Sequence, residues 1–302
     1  MFGNPDITKT LDKFWSDNYS KQTSKWADFI DAYRFYLDLK LQELSEPHPS
    51  RDHVLGMSKA GGCTRRTQIT KLAYAVDENL SGSTASTFFI GHMMEPMVLA
   101  TLANVGCDIV GTQYSVTIEG VMESEADAAI SWPEYNLDDA LLSIKTAGYK
   151  KSGSRRLKDG SIKWERRGFP EFPFDGMLRS QPSHYAQAQA ELLGAEKNRT
   201  LYVVVAKDMI KSMEGDPYMV DNGSLTFYTE IINFNADDAS SIAAMAGQTI
   251  EGIDTETLGD GWYFNKQREW VKLNPRDADH NRRVANWDIC SYCEVRDVCV
   301  RL

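Results

Sequence analysis

Four of the five cysteines in the chain have positions that suit metal binding. Cys290, Cys293 and Cys299 lie near the C-terminus with the spacing C-x2-C-x5-C. Two cysteines separated by two residues can bind one metal through adjacent backbone turns, and a third closes a face of the site. Cys63, preceded by two glycines, is the candidate for the fourth thiolate, whereas Cys107 follows an apolar helix and is expected to be a buried structural thiol.

This cysteine set has three chemical interpretations. Disulfide bonds are disfavoured because the N-terminal segment MFGNPDITKTLDKF lacks the charged and then apolar pattern of an export signal. Zinc and an iron–sulfur cluster both suit four cysteines from opposite ends of a chain, and spacing alone leaves the two open. Either metal would be structural first, since it would staple the two ends of the domain together.

The composition indicates a folded chain without a membrane segment. With 302 residues, of which 42% are hydrophobic, the chain can bury one large core or two modest ones. Its apolar runs are short, the clearest being LYVVVA at residues 201–206. We therefore expect a soluble cytoplasmic protein, located in the host cytoplasm if the chain is viral.

Charge is distributed unevenly along the chain. The formal net charge of −10 argues against a generic polyanion binder, but net charge describes a whole surface and not a single groove. Residues 150–167 contain eight basic and two acidic residues, with an Asp-Gly turn signal among them. This basic segment is either a solvated loop or a hairpin that contacts DNA. In a hairpin, the candidate phosphate contacts are Arg155, Arg156, Lys158 and Lys163.

Hydrophobic periodicity predicts the elements that must position such groups. Residues 6–46 have an apolar helical face and are expected to form an N-terminal helical cap, which the prolines of EPHPS end. After Cys63 the order is helix, helix, three strands, helix, two strands and helix. The three strands are predicted at 108–118, 121–130 and 137–146, the helices around them at about 183–193 and 236–250, and the later strands in TLYVVVAKD and SLTFYTEIINF. This order predicts an α/β fold with a mixed central sheet flanked by helices.

One cysteine before such a core and a C-x2-C-x5-C group after it resemble the iron–sulfur members of the PD-(D/E)XK nucleases. These include the CRISPR-associated RecB-like exonucleases and the AddB-type nuclease domains, and the resemblance is compatible with a phage-encoded chain. The resemblance implies a restriction-endonuclease-like core with a 4Fe–4S cluster on Cys63, Cys290, Cys293 and Cys299, zinc being the alternative. It divides the chain into a cap at 1–57 and a core at 58–302, with a basic insertion at 148–182 and a cysteine cluster at 288–302.

Short motifs in the core carry the same resemblance. FFIGHMMEPMV resembles the helical G-x-x-x-E element and contributes Glu95, and SEADAAI resembles the strand that bears the central metal-binding Asp127. LLSIKT resembles the strand that ends in Glu-x-Lys, with Lys145 on the lysine and Ser143 in the place of the carboxylate. VVVAKD resembles the strand that follows the next helix.

That next helix, HYAQAQAELL, resembles the H-x-x-Q-x-x-x-Y element of the family. His184 and Gln187 match it, and Glu191 stands where the tyrosine is expected. The resemblance implies that Gln187 and His184, with the neighbouring Tyr185, position the substrate.

The resemblance also implies the chemistry of phosphodiester hydrolysis with Mg²⁺ or Mn²⁺. Carboxylates hold the metal, which makes a water nucleophilic near neutral pH and balances charge on the phosphate oxygens. Asp127 and Glu95 would be metal ligands, and Lys145 would orient the water or stabilise the transition state.

Ser143 leaves this set one carboxylate short. A hydroxyl cannot replace the charge, although it can hydrogen-bond a metal-bound water. Some restriction endonucleases of this superfamily have a Ser-x-Lys strand and recruit the acid from the following helix. Because Gln187 and Glu191 are four residues apart on one helical face, we expect Glu191 to supply the missing metal ligand and catalytic charge.

Together these residues predict a metal-dependent DNA exonuclease that acts on single-stranded DNA or DNA ends in recombination or DNA processing. The alternative is a catalytically inactive DNA-end-binding protein of the same fold, which lost its acid at Ser143. A third interpretation is a zinc-stapled scaffold without a nucleic-acid role. DNA is the expected partner, a membrane is not, and a homo-oligomer or a recombination partner protein is left open.

Overall fold

The structure, a computed structural model, describes residues 3–19, 21–46, 54–72, 82–147, 149–156, 162–168, 172–206, 227–273 and 299. Among these residues, no helix combines the length and apolar character needed to cross a membrane. Cys290 and Cys293 of the predicted cysteine cluster lie outside the described residues.

Ten strands and seven α-helices make up the described part of the chain. The strands are β1 (Leu55–Gly56), β2 (Asp108–Ile118), β3 (Met122–Trp132), β4 (Leu137–Ala147), β5 (Tyr149–Arg156), β6 (Ile162–Gly168), β7 (Arg199–Ala206), β8 (Phe227–Asn233), β9 (Gly261–Phe264) and β10 (Trp270–Leu273). The helices are α1 (Pro5–Asn18), α2 (Ser24–Ser45), α3 (Thr64–Lys71), α4 (Gly82–Asn104), α5 (Phe172–Ser180), α6 (Pro182–Gly194) and α7 (Ala236–Asp254).

A mixed sheet of six strands forms the centre of the fold. Its order is β1–β3–β4–β7–β8, and β2 pairs with β3. The pairs β1–β3 and β4–β7 are parallel, whereas β2–β3, β3–β4 and β7–β8 are antiparallel. The predicted α/β fold with a mixed central sheet is therefore confirmed.

Helices cover both faces of this sheet. Successive side chains of a strand point to opposite faces, so Leu141 faces one layer while Leu142 and Ile144 face the other. Residues of α6 and α7 pack in the first layer, and residues of α1 and α4 pack in the second. Strands that are buried on both sides read as continuous apolar runs, which explains the sequence of β7.

The predicted helical segment 6–46 is divided into two helices. Asn4 caps α1 through its side-chain oxygen, and the Asn18 side-chain amide donates back to a backbone carbonyl of the last turn. Ile7 and Leu11 of α1 are fully buried in the same core as the sheet. α1 thus contributes to the core as well as capping it, and the domain boundary at residue 57 stays a prediction.

The basic segment forms a hairpin, and its contact with DNA stays a prediction. β5 and β6 pair antiparallel as a separate sheet of two strands. Arg155, Arg156 and Lys163 lie on these strands, and Lys158 falls outside the described residues. β5 begins two residues after β4 ends, so the strand that carries Lys145 leads directly into the hairpin.

A glycine turn just before Cys63 packs closely against α6. Gly61 has a φ of +69°, and a Cβ atom there would lie 2.6 Å from the Cβ atom of Ala186 on α6. The Gly61 carbonyl accepts a hydrogen bond from the Phe264 amide of β9 at 3.0 Å. Two residues later Cys63 is the N-cap residue of α3. Glycine therefore suits this position both in conformation and in space.

Candidate active site

Strands β3 and β4 separate at Asp127. The register between them extends as far as the pair Ala128 and Leu142. β2 pairs with one edge of β3 along its length. The opposite edge of β3 therefore pairs with β1 near the start of the strand and with β4 further along. In the gap, Asp127 Oδ2 accepts a hydrogen bond from the Ile144 amide at 2.5 Å. We call this gap the strand fork.

Ser143 and Lys145 lie on the β4 side of the strand fork. Two residues apart on a strand, they share one face. Ser143 is buried beside its register partner Tyr202 on β7, whereas Lys145 is half-buried. The positive charge of Lys145 acts to lower the pKa values of the carboxyl groups of Asp127 and Glu191. Lys145 is therefore within electrostatic range of both acids.

The carboxyl group of Asp127 is held in an environment that disfavours its charge. Burial is the largest effect and, together with the negative charge of Glu95, raises the pKa of Asp127 to about 6. Lys145 and the hydrogen bond from the Ile144 amide oppose this rise. A further positive charge beside Asp127 would favour its ionised form.

Glu191 lies in the buried face of α6. Its Oε1 atom accepts a hydrogen bond from Gln187 Nε2 at 2.7 Å and one from Ser124 Oγ on β3 at 3.4 Å. Burial, with only 1% of the residue exposed, raises the pKa of Glu191 to about 7 against the effect of Lys145, and the charge of Asp127 adds to the rise. The structure therefore brings Glu191 into the group that the sequence predicted.

Glu95 reaches this group from α4, in the other layer. It accepts hydrogen bonds from Lys40 Nζ of α2 at 2.6 Å and contacts His92 Nδ1 at 3.3 Å. Burial acts to raise the pKa of Glu95, but His92 and Lys40 bring it below its usual value. Because Glu95 also acts on the pKa of Asp127, charges from α4 and from α6, which carries Glu191, meet at the strand fork.

His184 adds a neutral polar group next to these charges. Its Nδ1 atom lies 2.7 Å from the Tyr202 hydroxyl. Burial, followed by the charge of Lys145, lowers the pKa of His184 to about 3, so the imidazole is neutral near pH 7. A neutral imidazole can donate or accept one hydrogen bond toward a substrate but offers no charge.

Tyr185, its neighbour in the sequence, points away from the group. It is buried, stacks on Phe264 with ring centroids 6.3 Å apart, and donates its hydroxyl to Asp238 Oδ2 at 2.7 Å. Arg268 Nε donates to the same carboxylate oxygen at 2.6 Å. The structure therefore gives Tyr185 a packing role that fixes α6 to α7.

Sequence reasoning missed Lys40, Ser124 and Tyr202. Lys40 lies in a helix predicted only to pack, and its signal is Glu43 at the i+3 position, where the two side chains can pair. Ser124 lies within the SEADAAI motif itself. Tyr202 was hidden in the apolar run of β7, where only the register with Ser143 shows that it lies beside the strand fork.

The donor chemistry of the strand fork fits a hard divalent cation. Mg²⁺ and Mn²⁺ prefer oxygen ligands, and Asp127 and Glu191 offer buried carboxyl groups, whose pKa values are raised chiefly by burial. Among the described residues, no three His, Cys, Asp or Glu side chains are grouped closely enough to hold a metal ion. Glu95, the third acid, is instead paired with Lys40.

The predicted iron–sulfur ligands stay predictions. Cys63 is half-buried at the start of α3, Cys299 is half-buried, and Cys290 and Cys293 lie outside the described residues. Cys107 is buried as expected, and burial followed by the charge of Asp108 raises the pKa of its thiol to about 12.

Comparison with known proteins gives similarity in overall chain path. Neither a protein-family model nor a curated protein sequence matches the chain. The solved structure of SSO0001 is similar with a TM-score of 0.40 and 17% identity, covering 88% of this chain and 95% of that one. An alkaline exonuclease, LHK-Exo from Laribacter hongkongensis, is similar with a TM-score of 0.38 and 11% identity over 68% of this chain and 90% of its own. The structure of LHK-Exo in complex with dAMP is similar with a TM-score of 0.39 and 12% identity, covering 67% of this chain and 88% of that one.

Proposed function

We propose that the chain is a nuclease that hydrolyses phosphodiester bonds of DNA with Mg²⁺ or Mn²⁺. The observation that supports this most is the strand fork, where Asp127 and Lys145 on adjacent strands meet the charges of Glu191 and Glu95 from opposite helical layers. Phosphodiester hydrolysis needs this combination, because a water must be activated and charge growing on the phosphate must be neutralised.

Each residue has a role in this proposal. Asp127, Glu191 and Glu95 would hold the divalent cation, which when bound supplies Lewis-acid activation and charge neutralisation. Lys145 donates hydrogen bonds to the attacking water or to a phosphate oxygen, and Gln187 fixes the orientation of the Glu191 carboxylate. The bond from the water oxygen to phosphorus forms while the bond from phosphorus to the leaving sugar oxygen breaks. The proton of the water passes to solvent, and the leaving oxygen takes up another.

The proposed substrate is single-stranded DNA or DNA with free ends, cleaved exonucleolytically in recombination or DNA processing. The β5–β6 hairpin supports a nucleic-acid substrate, because the basic segment continues directly from the strand of Lys145. The Lys and Arg residues that follow this strand in the chain would contact phosphates on either side of the cleaved bond.

Cleavage of end-labelled linear and circular single-stranded DNA by purified protein in Mn²⁺ tests the proposal. We expect degradation of the linear DNA only. For Asp127→Asn we expect the cleavage rate to fall by about 100-fold or more, in line with the loss of one charged catalytic group. Equal rates for Asp127→Asn and the original protein would assign the cleavage to a contaminant. Cleavage of circular DNA, which has no ends, would show that the enzyme is an endonuclease and not an exonuclease.

A DNA-end-binding protein without catalysis is the second candidate. Ser143 favours it, since this buried residue offers a hydroxyl where the resembling nucleases have a carboxylate. Binding of labelled DNA without any Mn²⁺-dependent cleavage, in the same preparation, would select this alternative.

A further inference from the structure

Lys40 is a buried ammonium group that α2 holds against Glu95 of α4. The residue is 6% exposed and lies on α2. Its Nζ atom is 2.6 Å from Glu95 Oε2 on α4, and 2.9 and 2.7 Å from the two carboxylate oxygens of Glu43, one turn further along α2.

These contacts satisfy the whole hydrogen-bonding capacity of Lys40. An ammonium group has three donors and no acceptor, and three carboxylate oxygens surround it here. Burying a charge is costly unless it is paired, so the contact with Glu95 is held firmly while that carboxylate has no other cation. The charge of Lys40 also acts on the pKa of Asp127, which places it within range of the strand fork.

A divalent cation and Lys40 would compete for Glu95. Two cations on one carboxylate in a partly buried site repel each other strongly, because the local dielectric constant is low. Glu43 offers Lys40 a second partner that can keep it paired when Glu95 is taken.

We propose, building on the metal-dependent function above, that Lys40 is the internal counter-ion of the metal-free site. It holds Glu95 until a divalent cation binds and then withdraws onto Glu43, so that metal binding is coupled to the position of α2. Lys40 is thus a positioning residue that acts through Glu95.

Titration of the chelator-treated full chain with Mn²⁺ by calorimetry measures the competition. We expect Lys40→Met to bind Mn²⁺ about tenfold more tightly, since a hydrogen bond between charged groups no longer has to be broken. Glu43→Gln should bind several-fold more weakly, because Lys40 then depends on Glu95 alone. Lys197→Met, which removes a lysine paired with Asp139 instead, should bind as the original protein does.

Amide hydrogen exchange in α2 tests whether Lys40 is displaced by the metal. A simple change of charge at residue 40 would alter Mn²⁺ affinity without this effect on α2. Adding Mg²⁺ should speed amide exchange in the C-terminal half of α2 in the original protein but not in Lys40→Met, where the tether is already absent. If Lys40→Met binds Mn²⁺ no more tightly than the original protein, or if metal leaves α2 exchange unchanged, the inference is wrong. Should Lys40→Met fail to fold, unchanged Mn²⁺ affinity of Glu43→Gln would overturn it equally.

Asp127→Asn distinguishes failure of this inference from failure of the proposed function. If the original protein takes up no Mn²⁺, or if Asp127→Asn binds it unchanged, the proposed metal site itself is wrong. If Asp127→Asn binds weakly while Lys40→Met matches the original protein, only the role of Lys40 is wrong.

Discussion

At Glu191 the chain buries a carboxyl group and holds it with Gln187 and Ser124. Burial of an ionisable group costs free energy, so we expect this one to have a function. We expect Glu191→Gln, which preserves the shape, to lower the cleavage rate by about 100-fold or more while DNA affinity stays unchanged. Ser143→Glu in that background should restore part of the activity, because it returns a carboxylate to the strand fork. Kinetics on labelled DNA in Mn²⁺ and a binding assay in Ca²⁺ measure the two quantities.

Normal cleavage by Glu191→Gln would contradict this relocation of the acid. Gln187→Leu gives a graded control, since it removes the 2.7 Å hydrogen bond to Glu191 but keeps the carboxyl group. Its rate should fall less than that of Glu191→Gln.

The protonation of Glu191 makes the stability of the metal-free protein depend on pH. Its pKa is raised on folding from 4.5 to about 7, chiefly by burial. The folded state therefore holds this proton more tightly, and the stabilising contribution is complete at low pH and is lost as the pH rises through about 7. In chelator, Glu191→Gln should melt near the original protein at about pH 4 and a few degrees higher at about pH 8. Thermal denaturation followed by circular dichroism over this range checks the sign.

At the scale of elements, the turn before α3 depends on glycine for two separable reasons. Gly61 and Gly120 have nearly equal φ values, +69° and +68°, but only at Gly61 would a Cβ atom meet a neighbour, Ala186 Cβ at 2.6 Å. Gly120→Ala should therefore cost about 1 kcal/mol in unfolding free energy, from the left-handed conformation alone. Gly61→Ala should cost about 2 to 3 kcal/mol more, because the turn must move away from α6. Urea denaturation measures both, and equal losses would refute the close packing.

The β5–β6 hairpin should contribute electrostatic binding to DNA. Replacing Arg155, Arg156, Lys158 and Lys163 together by Ser should weaken binding and reduce the salt dependence by up to about four phosphate contacts. Folding should be preserved, because the hairpin forms its own sheet apart from the core. DNA affinity measured at several salt concentrations tests this, and an unchanged slope would make the basic segment a solvated hairpin without a role in binding.

Local patterns in the sequence predict the strands that carry the site better than the contacts between them. β2 coincides with its prediction at 108–118, and β3 and β4 differ from theirs by a residue or two, because hydrophobic alternation is a local property. β1 has only two residues and therefore no such pattern. Its pairing with β3 nevertheless defines the strand fork, because it takes the edge of β3 that β4 leaves. The prediction of one helix over 6–46 missed the break between α1 and α2, although the sequence SKQT at 20–23 has no apolar residue.

Contacts between residues that are far apart in the sequence also limit how much of the site can be predicted. The i, i+4 spacing correctly placed Gln187 and Glu191 on one face, since it depends only on helix geometry. The Lys40–Glu95 ion pair joins α2 to α4, and Tyr185 turns to Asp238 on α7, so both depend on how helices pack. No local spacing encodes such contacts.

At the scale of the whole molecule, acidic residues from the two helical layers interact electrostatically at the strand fork. An undivided sheet would separate Glu95 on one side from Glu191 on the other. At the fork, the charge of Glu95 acts on the pKa of Asp127, and the charge of Asp127 acts on the pKa of Glu191. α1 and α2 join this arrangement through Ile7 in the core and Lys40 at the site. The N-terminal helices are thus expected to be required for activity as well as for stability.

The predicted iron–sulfur cluster would hold the same assembly together from its ends. We expect the protein to contain iron and to be brown when purified, and replacement of Cys63, Cys290, Cys293 or Cys299 by Ser to remove the colour and lower the melting temperature. The physical reason is linkage, since a cluster that binds only the folded chain adds its binding free energy to stability. Iron and zinc analysis, visible absorbance and thermal denaturation measure these effects.

Cys107→Ser is the matched control for that series. Its buried thiol has a pKa of about 12, so it stays protonated at neutral pH and is a poor metal ligand, and the variant should keep its iron. Cys63 is the most informative member of the set, because the turn at Gly61, two residues before it, packs closely against α6, the helix that carries Glu191. Loss of the cluster should therefore reach the active site through α6, and Cys63→Ser should bind Mn²⁺ more weakly as well as lose iron. Colourless protein with one zinc per chain would overturn the cluster, while unchanged Mn²⁺ binding by Cys63→Ser would show that the staple and the strand fork act independently.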